Sequence, residues 1–369
     1  MRRLAEILAG PLGLPRTPGI MFGGYRTVSL DGCKSLRVPG TAANRAWLGR
    51  QNALNGETGY PSLMLMALVE TGTRALLGAA FGSQAEGEAA WAGKLLHLLD
   101  ATMLLLVDRG FDSGGFLAEV ARTKAQFLVR LNRNRRPPVL RHLPDGSFTS
   151  LIGGVKVRVI TARVTVTCHD GTVYGDVYRL ATTLPDHREH PAEALVRLYH
   201  ERWQHEVTYL ALRHTLLAGR VLRSGDPAGI EQEMWALLAV CQALRIAVTD
   251  AVQSVPGTDP DRAGWQTAVE TAQNLVATAA NVAGGEDDPQ GDIGRRPREP
   301  ARPPPAPRLR TQGQVPAQPL EQAPGRKTPR NQADSGHHQP RRPRVLQTAD
   351  TPAENRDKPC GTLTSLHCV

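Results

Sequence analysis

Apolar residues change their spacing several times along this chain. From Arg26 to Leu30 they alternate with polar residues, and Ser62 to Val69 and Arg74 to Ala79 continue as strand-like runs, joined by the break Glu70-Thr71-Gly72-Thr73. Glu86 to Leu99 then carries apolar residues at helical spacing. Met103 to Val107 is a short unbroken run typical of a buried strand, Gly115 to Arg122 is predicted helical, and Phe127 to Leu131 is a fifth strand. Between Leu151 and Leu184 the period becomes 2, as in Lys156-Val157-Arg158-Val159 and Arg163-Val164-Thr165-Val166, with His169-Asp170-Gly171-Thr172 as a turn.

Pro191 opens a long helical segment to about Leu217. Asp226-Pro227 caps another, in which Ile230, Met234, Leu237, Cys241, Leu244 and Val248 recur at alternating spacings of four and three. Beyond Gly284 the pattern dissolves into Pro, Arg, Gln and Gly, and composition predicts a disordered tail. Three strands, a helix, a strand, a helix and a strand suit an α/β fold: an RNase H-like mixed sheet flanked by helices. The expected organisation is residues 1–25 as a remnant N-terminal region, 26–255 as the main domain with a β-rich insertion over about 132–188, and 256–369 as tail.

A chain of 369 residues and 39.9 kDa can bury a sizeable core. Lys and Arg outnumber Asp and Glu by 44 to 35, with a pI near 9.7, which suits a protein that neutralises phosphates but also fits other basic proteins. Cys33, Cys168, Cys241, Cys360 and Cys368 are scattered without a C-x-x-C pair, so the spacing indicates neither a zinc site nor a disulfide framework. The start lacks a signal-peptide pattern, and apolar runs such as Leu63 to Val69 are too short to cross a bilayer, so a cytoplasmic protein with no membrane partner is expected.

The candidate chemistry lies in carboxylates placed just after apolar runs. Asp31 follows the first strand and Asp108 the fourth, where two strand-end acids at the mouth of a sheet can converge; each could also be a turn former or helix cap. A third acid, Glu206, lies in the segment after Pro191. At about 100° per residue Tyr199, Arg202, Glu206 and Arg213 fall on one helical stripe about 60° wide, although Arg202 and Glu206 also have the spacing of a solvated i, i+4 pair. Arg130, Arg133, Arg135 and Arg136 form a plausible phosphate track or a solvated basic loop.

These segments resemble the IS4 family of bacterial insertion-sequence transposases, whose chemistry rests on an Asp-Asp-Glu triad. Leu30-Asp31-Gly32, followed by Val38-Pro39, Thr41 and Asn44, is similar to the family's first-aspartate segment, and Asp108-Arg109-Gly110-Phe111 to its second. The family's Y-(2)-R-(3)-E-(6)-K signature reads Tyr199, Arg202, Glu206 and Arg213, with Arg in place of Lys.

The resemblance spans roughly Arg16 to Val255. It implies strand cleavage and transfer at insertion-sequence ends, with Asp31, Asp108 and Glu206 holding two divalent ions, Mg²⁺ or Mn²⁺. It also implies that Tyr199, Arg202 and Arg213 contact phosphates of double-stranded DNA, at transposon ends and target, and that a homodimer forms on the DNA. No Trp lies between Trp91 and Trp203, so a base-flipping residue of the insertion is unassigned. Only 30 residues precede Asp31, against the N-terminal helical region of relatives, which predicts a truncation. Gln312 to Gln322, decoded one base later from a suitable codon choice, gives a peptide like the family's C-terminal segment, which predicts a frameshift near Ile293 to Arg296. An inactive remnant with residual DNA binding is the alternative expectation.

Overall fold

In the computed structural model the described residues are 1–49, 59–167, 173–200, 202, 208–209, 211–255, 258–260, 263–281 and 362–368. The strands are β1 (Met21–Phe22), β2 (Tyr25–Arg37), β3 (Ser62–Glu70), β4 (Leu76–Gly82), β5 (Met103–Val107), β6 (Gln126–Arg130), β7 (Arg141–His142), β8 (Phe148–Ile152), β9 (Val155–Thr167), β10 (Val173–Thr182) and β11 (Thr362–Cys368). The helices are α1 (Arg2–Leu8), α2 (Ala42–Leu48), α3 (Glu88–Gly93), α4 (Gly114–Arg122), α5 (Ala192–His200), α6 (Pro227–Gln253) and α7 (Trp265–Asn281).

One mixed sheet runs β4-β3-β2-β5-β6-β10-β9-β8-β7, with β1 added on β2 and β11 on β9. The β2-β3 and β3-β4 pairs are antiparallel, whereas β2-β5 and β5-β6 are parallel. The β-rich stretch does not make a sheet of its own. β10 pairs with β6 from Leu180–Arg130 to Thr182–Leu128, so it prolongs the central sheet.

Burial on both faces explains the unbroken apolar strands. In β3, Met64, Met66 and Leu68 join the core under α3 and α4, while Leu63, Leu65, Ala67 and Val69 join the core under α1, α2 and α6. In β5, Leu105 and Val107 face the first of these cores, and Leu104 and Leu106 face a third, built with Leu195, Val196 and Tyr199 of α5. Side-chain alternation along a strand therefore sorts every position to one face or the other.

Several expected elements differ. β2 does not stop at Leu30 but continues through Asp31 to Arg37, because β3 stays paired with it as far as Arg37–Ser62. α2 appears where the pattern showed only a Gly/Pro/Asn-rich stretch, started by the Thr41 hydroxyl accepting from the Asn44 amide at 3.2 Å. The helix expected over Glu86 to Leu99 is one short turn of α-helix flanked by 3₁₀ turns.

Among the described residues the helix expected from Pro191 to Leu217 is not one regular helix: α5 ends at His200, the Arg202 amide closes a tighter bond to the Tyr199 carbonyl, Thr208 and Tyr209 are α-helical, and Ala211–Leu216 is a π-helical turn. A single 100° stripe therefore does not describe Tyr199, Arg202 and Arg213. The turn expected at His169 to Thr172 lies outside the described residues.

The first residues are part of the core. Ala5 of α1 is buried against α6, Gln242 of α6 accepts from the Leu76 amide at 2.8 Å and donates to the Leu8 carbonyl at 3.1 Å, and Gln253 donates to the Leu12 carbonyl at 2.9 Å. Glu70, fully buried at the end of β3, accepts from the Leu12 and Gly13 amides, from Thr73 and from Arg26. Within the span expected as tail, α7 packs Ala268 on Val248 and Val252 of α6, and β11 pairs with β9; residues 282–361 lie outside the described residues. α6 is long and apolar enough, by length and composition, to cross a membrane, unlike the short runs picked out in the sequence, but much of it is buried within the fold.

Candidate active site

The parallel β2-β5 ladder brings the two aspartates to one level. Its register pairs Arg26 with Met103 and Ser29 with Leu106, a constant offset of 77 (103 − 26), and Asp31 plus 77 is Asp108. Asp31 alternates with Val28 and Leu30 and so projects to the face opposite their core, while Asp108 shares the parity of Leu104 and Leu106, on the face covered by α5. Both acids thus sit at the same height of the same face, where β5 has ended and side chains from the following segments can enter.

Each carboxylate is held locally. The Gly32 amide donates to Asp31 Oδ1 at 2.8 Å, and the Gly110 amide to Asp108 Oδ1 at 2.7 Å, with Asp108 at the N-cap of the 3₁₀ turn Arg109–Phe111. Gly110 is required to be small: a Cβ there would lie 2.9 Å from Asp108 Oδ1. Arg202 Nη1 approaches Asp31 Oδ2 at 3.3 Å, an ion pair that is mostly shielded from water. Tyr209 donates its hydroxyl to the Asp31 carbonyl at 2.6 Å.

Tyr199 lies beneath this group, buried edge-on against Tyr178 with ring centroids 5.9 Å apart. Burial pushes its phenol up, the Arg202 guanidinium opposes this, and Asp108 adds to it. Tyr199 is therefore a packed aromatic wall beside the acids. Arg213 is half-buried in the π-helical turn. Glu206 lies outside the described residues; in sequence it falls four residues after Arg202 and three before Tyr209. Among the described residues no group of three or more His, Cys, Asp or Glu could hold a metal ion.

The four arginines of the expected phosphate track are largely engaged within the protein. Arg130 and Arg133 both pair with Asp176, Arg135 pairs with Asp112 at 2.5 Å, and Arg136 donates to the Arg133 carbonyl at 2.6 Å. Burial acts to raise the Asp176 carboxyl, but Arg130, the Val177 amide and Arg133 hold it below the usual range. Arg179 donates to the carbonyls of Asn132, Arg133 and Arg135, so the loop is pinned. Beside it a cavity of about 660 Å³, lined by Arg109, Asn132, Asn134, Arg135, Arg136 and Gly153, opens next to the Asp108 turn.

Two neighbours of the site were not singled out from the sequence. Tyr209 is one. The other is Glu88, whose carboxylate lies 3.4 Å from a Cβ placed on Gly32 and 3.5 Å from one placed on Gly110, and which pairs with Lys34 at 2.9 Å. Neither carries a local pattern, since each reaches the aspartates only through the folded sheet.

His200 ends α5 with its Nδ1 buried and without a hydrogen bond among the described residues. Burial, then Arg202, lowers its pKa below the ordinary 6.5, so the folded protein binds this proton less readily than the unfolded chain. The stabilisation is complete above the unfolded pKa and is lost as pH falls below it. Thermal melts at pH 7.5 and 5.5 are expected to show a smaller loss of Tm for His200→Gln than for the parent; equal losses would remove His200 from the acid response.

Residues 23–242 match a family described as "Transposase DDE domain". A curated relative is the Escherichia coli (strain K12) transposase InsG for insertion sequence element IS4, 25% identical over 277 residues, covering 73% of this chain and 62% of InsG. The chain thus spans less than two thirds of that relative's length. Among solved structures, the piggyBac transposase synaptic complex with hairpin DNA, determined by cryo-EM, superposes with a TM-score of 0.42 at 10% identity, over 73% of this chain and 57% of that one.

Proposed function

The chain belongs to the IS4-type DDE transposases, and from that premise we propose that it cuts and joins DNA strands at insertion-sequence ends with Asp31, Asp108 and Glu206 as its acidic triad. The observation that carries this reading is the register of β2 and β5, whose offset, carried two residues past the Ser29–Leu106 pair, brings Asp31 opposite Asp108. The order β4-β3-β2-β5-β6, antiparallel then parallel, supports an RNase H-like core.

Two aspartates offering hard oxygen donors suit Mg²⁺ or Mn²⁺, with Glu206 as the remaining protein donor. When bound, a pair of such ions supplies Lewis acidity at the attacking and leaving oxygens of an in-line displacement. The protein's own residues orient the reaction. Arg202 fixes the Asp31 carboxylate and places a guanidinium where a phosphate oxygen can be met, a planar donor that suits phosphate. Tyr199, neutral and buried against Tyr178, gives Arg202 a rigid wall. The net charge of +9 draws in the duplex of the transposon end and of the target, and a DNA-bridged homodimer would hold two ends together.

The test is nicking of an end-labelled duplex by purified protein at low salt, with Mg²⁺, Mn²⁺ or chelator. Cleavage is expected with either metal, is abolished by chelator, and is absent in Glu206→Gln. Folded protein that binds the duplex but never cuts it would leave the inactive-remnant reading in its place.

A further inference from the structure

We infer that Tyr209 is a positioning residue for the first acid, its hydroxyl tying the strand that carries Asp31 to the segment that carries Glu206. The inference rests on the triad reading above and adds a residue outside the Y-(2)-R-(3)-E-(6)-K pattern.

Three observations converge. The hydroxyl donates to the Asp31 carbonyl at 2.6 Å, across 178 positions of sequence. The backbone of Ala67 lies against the same phenol, and Ala67 is the residue paired with Asp31 across the β2-β3 ladder, so one side chain meets both members of that pair. The ring is buried in the core formed by Cys33, Leu36, Leu65 and Leu212, which leaves it no freedom to swing away.

Arg202 and Tyr209 divide the work on Asp31. Arg202 takes the carboxylate and Tyr209 the main chain, and the two residues bracket Glu206 in sequence. Hydrogen bonds of this kind, one step behind the ligand, govern metal affinity because they fix where the donor oxygens point.

Tyr209→Phe tests this, since it keeps the ring and removes only the hydroxyl. Two quantities are measured on the full chain: Mn²⁺ binding by electron paramagnetic resonance with a duplex oligonucleotide present, and deuterium exchange of a peptide covering residues 29–36. The variant is expected to bind Mn²⁺ about 10-fold more weakly and to exchange faster at residues 29–33, with Tm within a few degrees of the parent. Parent-like Mn²⁺ affinity together with parent-like exchange overturns the proposal. If the parent and Asp31→Asn bind Mn²⁺ equally, the metal reading of the triad fails by itself. The exchange measurement then decides the clamp alone, faster exchange upholding it and unchanged exchange overturning it.

Discussion

Asp108→Asn is expected to lower the rate of metal-dependent nicking on the order of 10³-fold while leaving the fold intact. The side chain has two duties that this substitution separates. As N-cap of the turn Arg109–Phe111 it accepts from the Gly110 amide, and an asparagine oxygen does this equally well. As the proposed metal donor it would contribute charge, which the amide lacks. A bound metal supplies several kcal/mol of transition-state stabilisation, and losing about 4 kcal/mol corresponds to roughly 10³ in rate. Asp108 is a cleaner probe than Asp31, whose carboxylate also pairs with Arg202. Single-turnover nicking with circular dichroism on the same samples decides the matter. A rate within about 3-fold of the parent, in folded protein, would remove Asp108 from the triad.

The largest expected effect on stability comes from Glu70→Ala. Glu70 is wholly buried, and its carboxylate serves the Arg26 guanidinium, the Thr73 hydroxyl and the Leu12 and Gly13 amides. Truncation leaves a partly buried cation and two amides without their acceptor, a loss of about 3–5 kcal/mol. At about 2–4 °C per kcal/mol for a domain of this size, Tm should fall by roughly 10 °C. Glu70→Gln, which retains acceptor oxygen but not charge, should fall less. A melting point for the alanine variant within about 3 °C of the parent would show that the N-terminal segment is held by its apolar contacts and not by this carboxylate.

What the sequence revealed, and what it hid, follows from the range of the forces involved. β5 and Asp108 were legible because a strand buried on both faces writes an unbroken apolar run, and the acid after it stands out. α6 was legible because Asp226 and Pro227 announce a helix start locally; the Asp226 side chain indeed accepts from the Gly229 amide. The extension of β2 past Asp31 was hidden. Residues such as Lys34 and Arg37 look like loop, and only pairing with β3 keeps them extended. The break after His200 was hidden for a similar reason, since the turn at Arg202 goes with a contact to Asp31 from far away in sequence. Tyr209 and Glu88 left no trace for the same reason. Joining the β-rich stretch to the central sheet needed the β6-β10 register, which no local period encodes.

The anchoring of α1 and residues 8–12 to Gln242 and Gln253 has a consequence for the order of assembly. A ribosome delivers α1 first and its docking surface on α6 some 230 residues later, the separation of Leu8 from Gln242 being 234. During that interval Ala5 and Leu8 lack their α6 partner, so α1 waits while the sheet behind it forms. Contacts of such long separation slow the closing step of folding. Nascent chains halted before Gln253 should therefore expose α1 to protease, and chains released well beyond it should protect it.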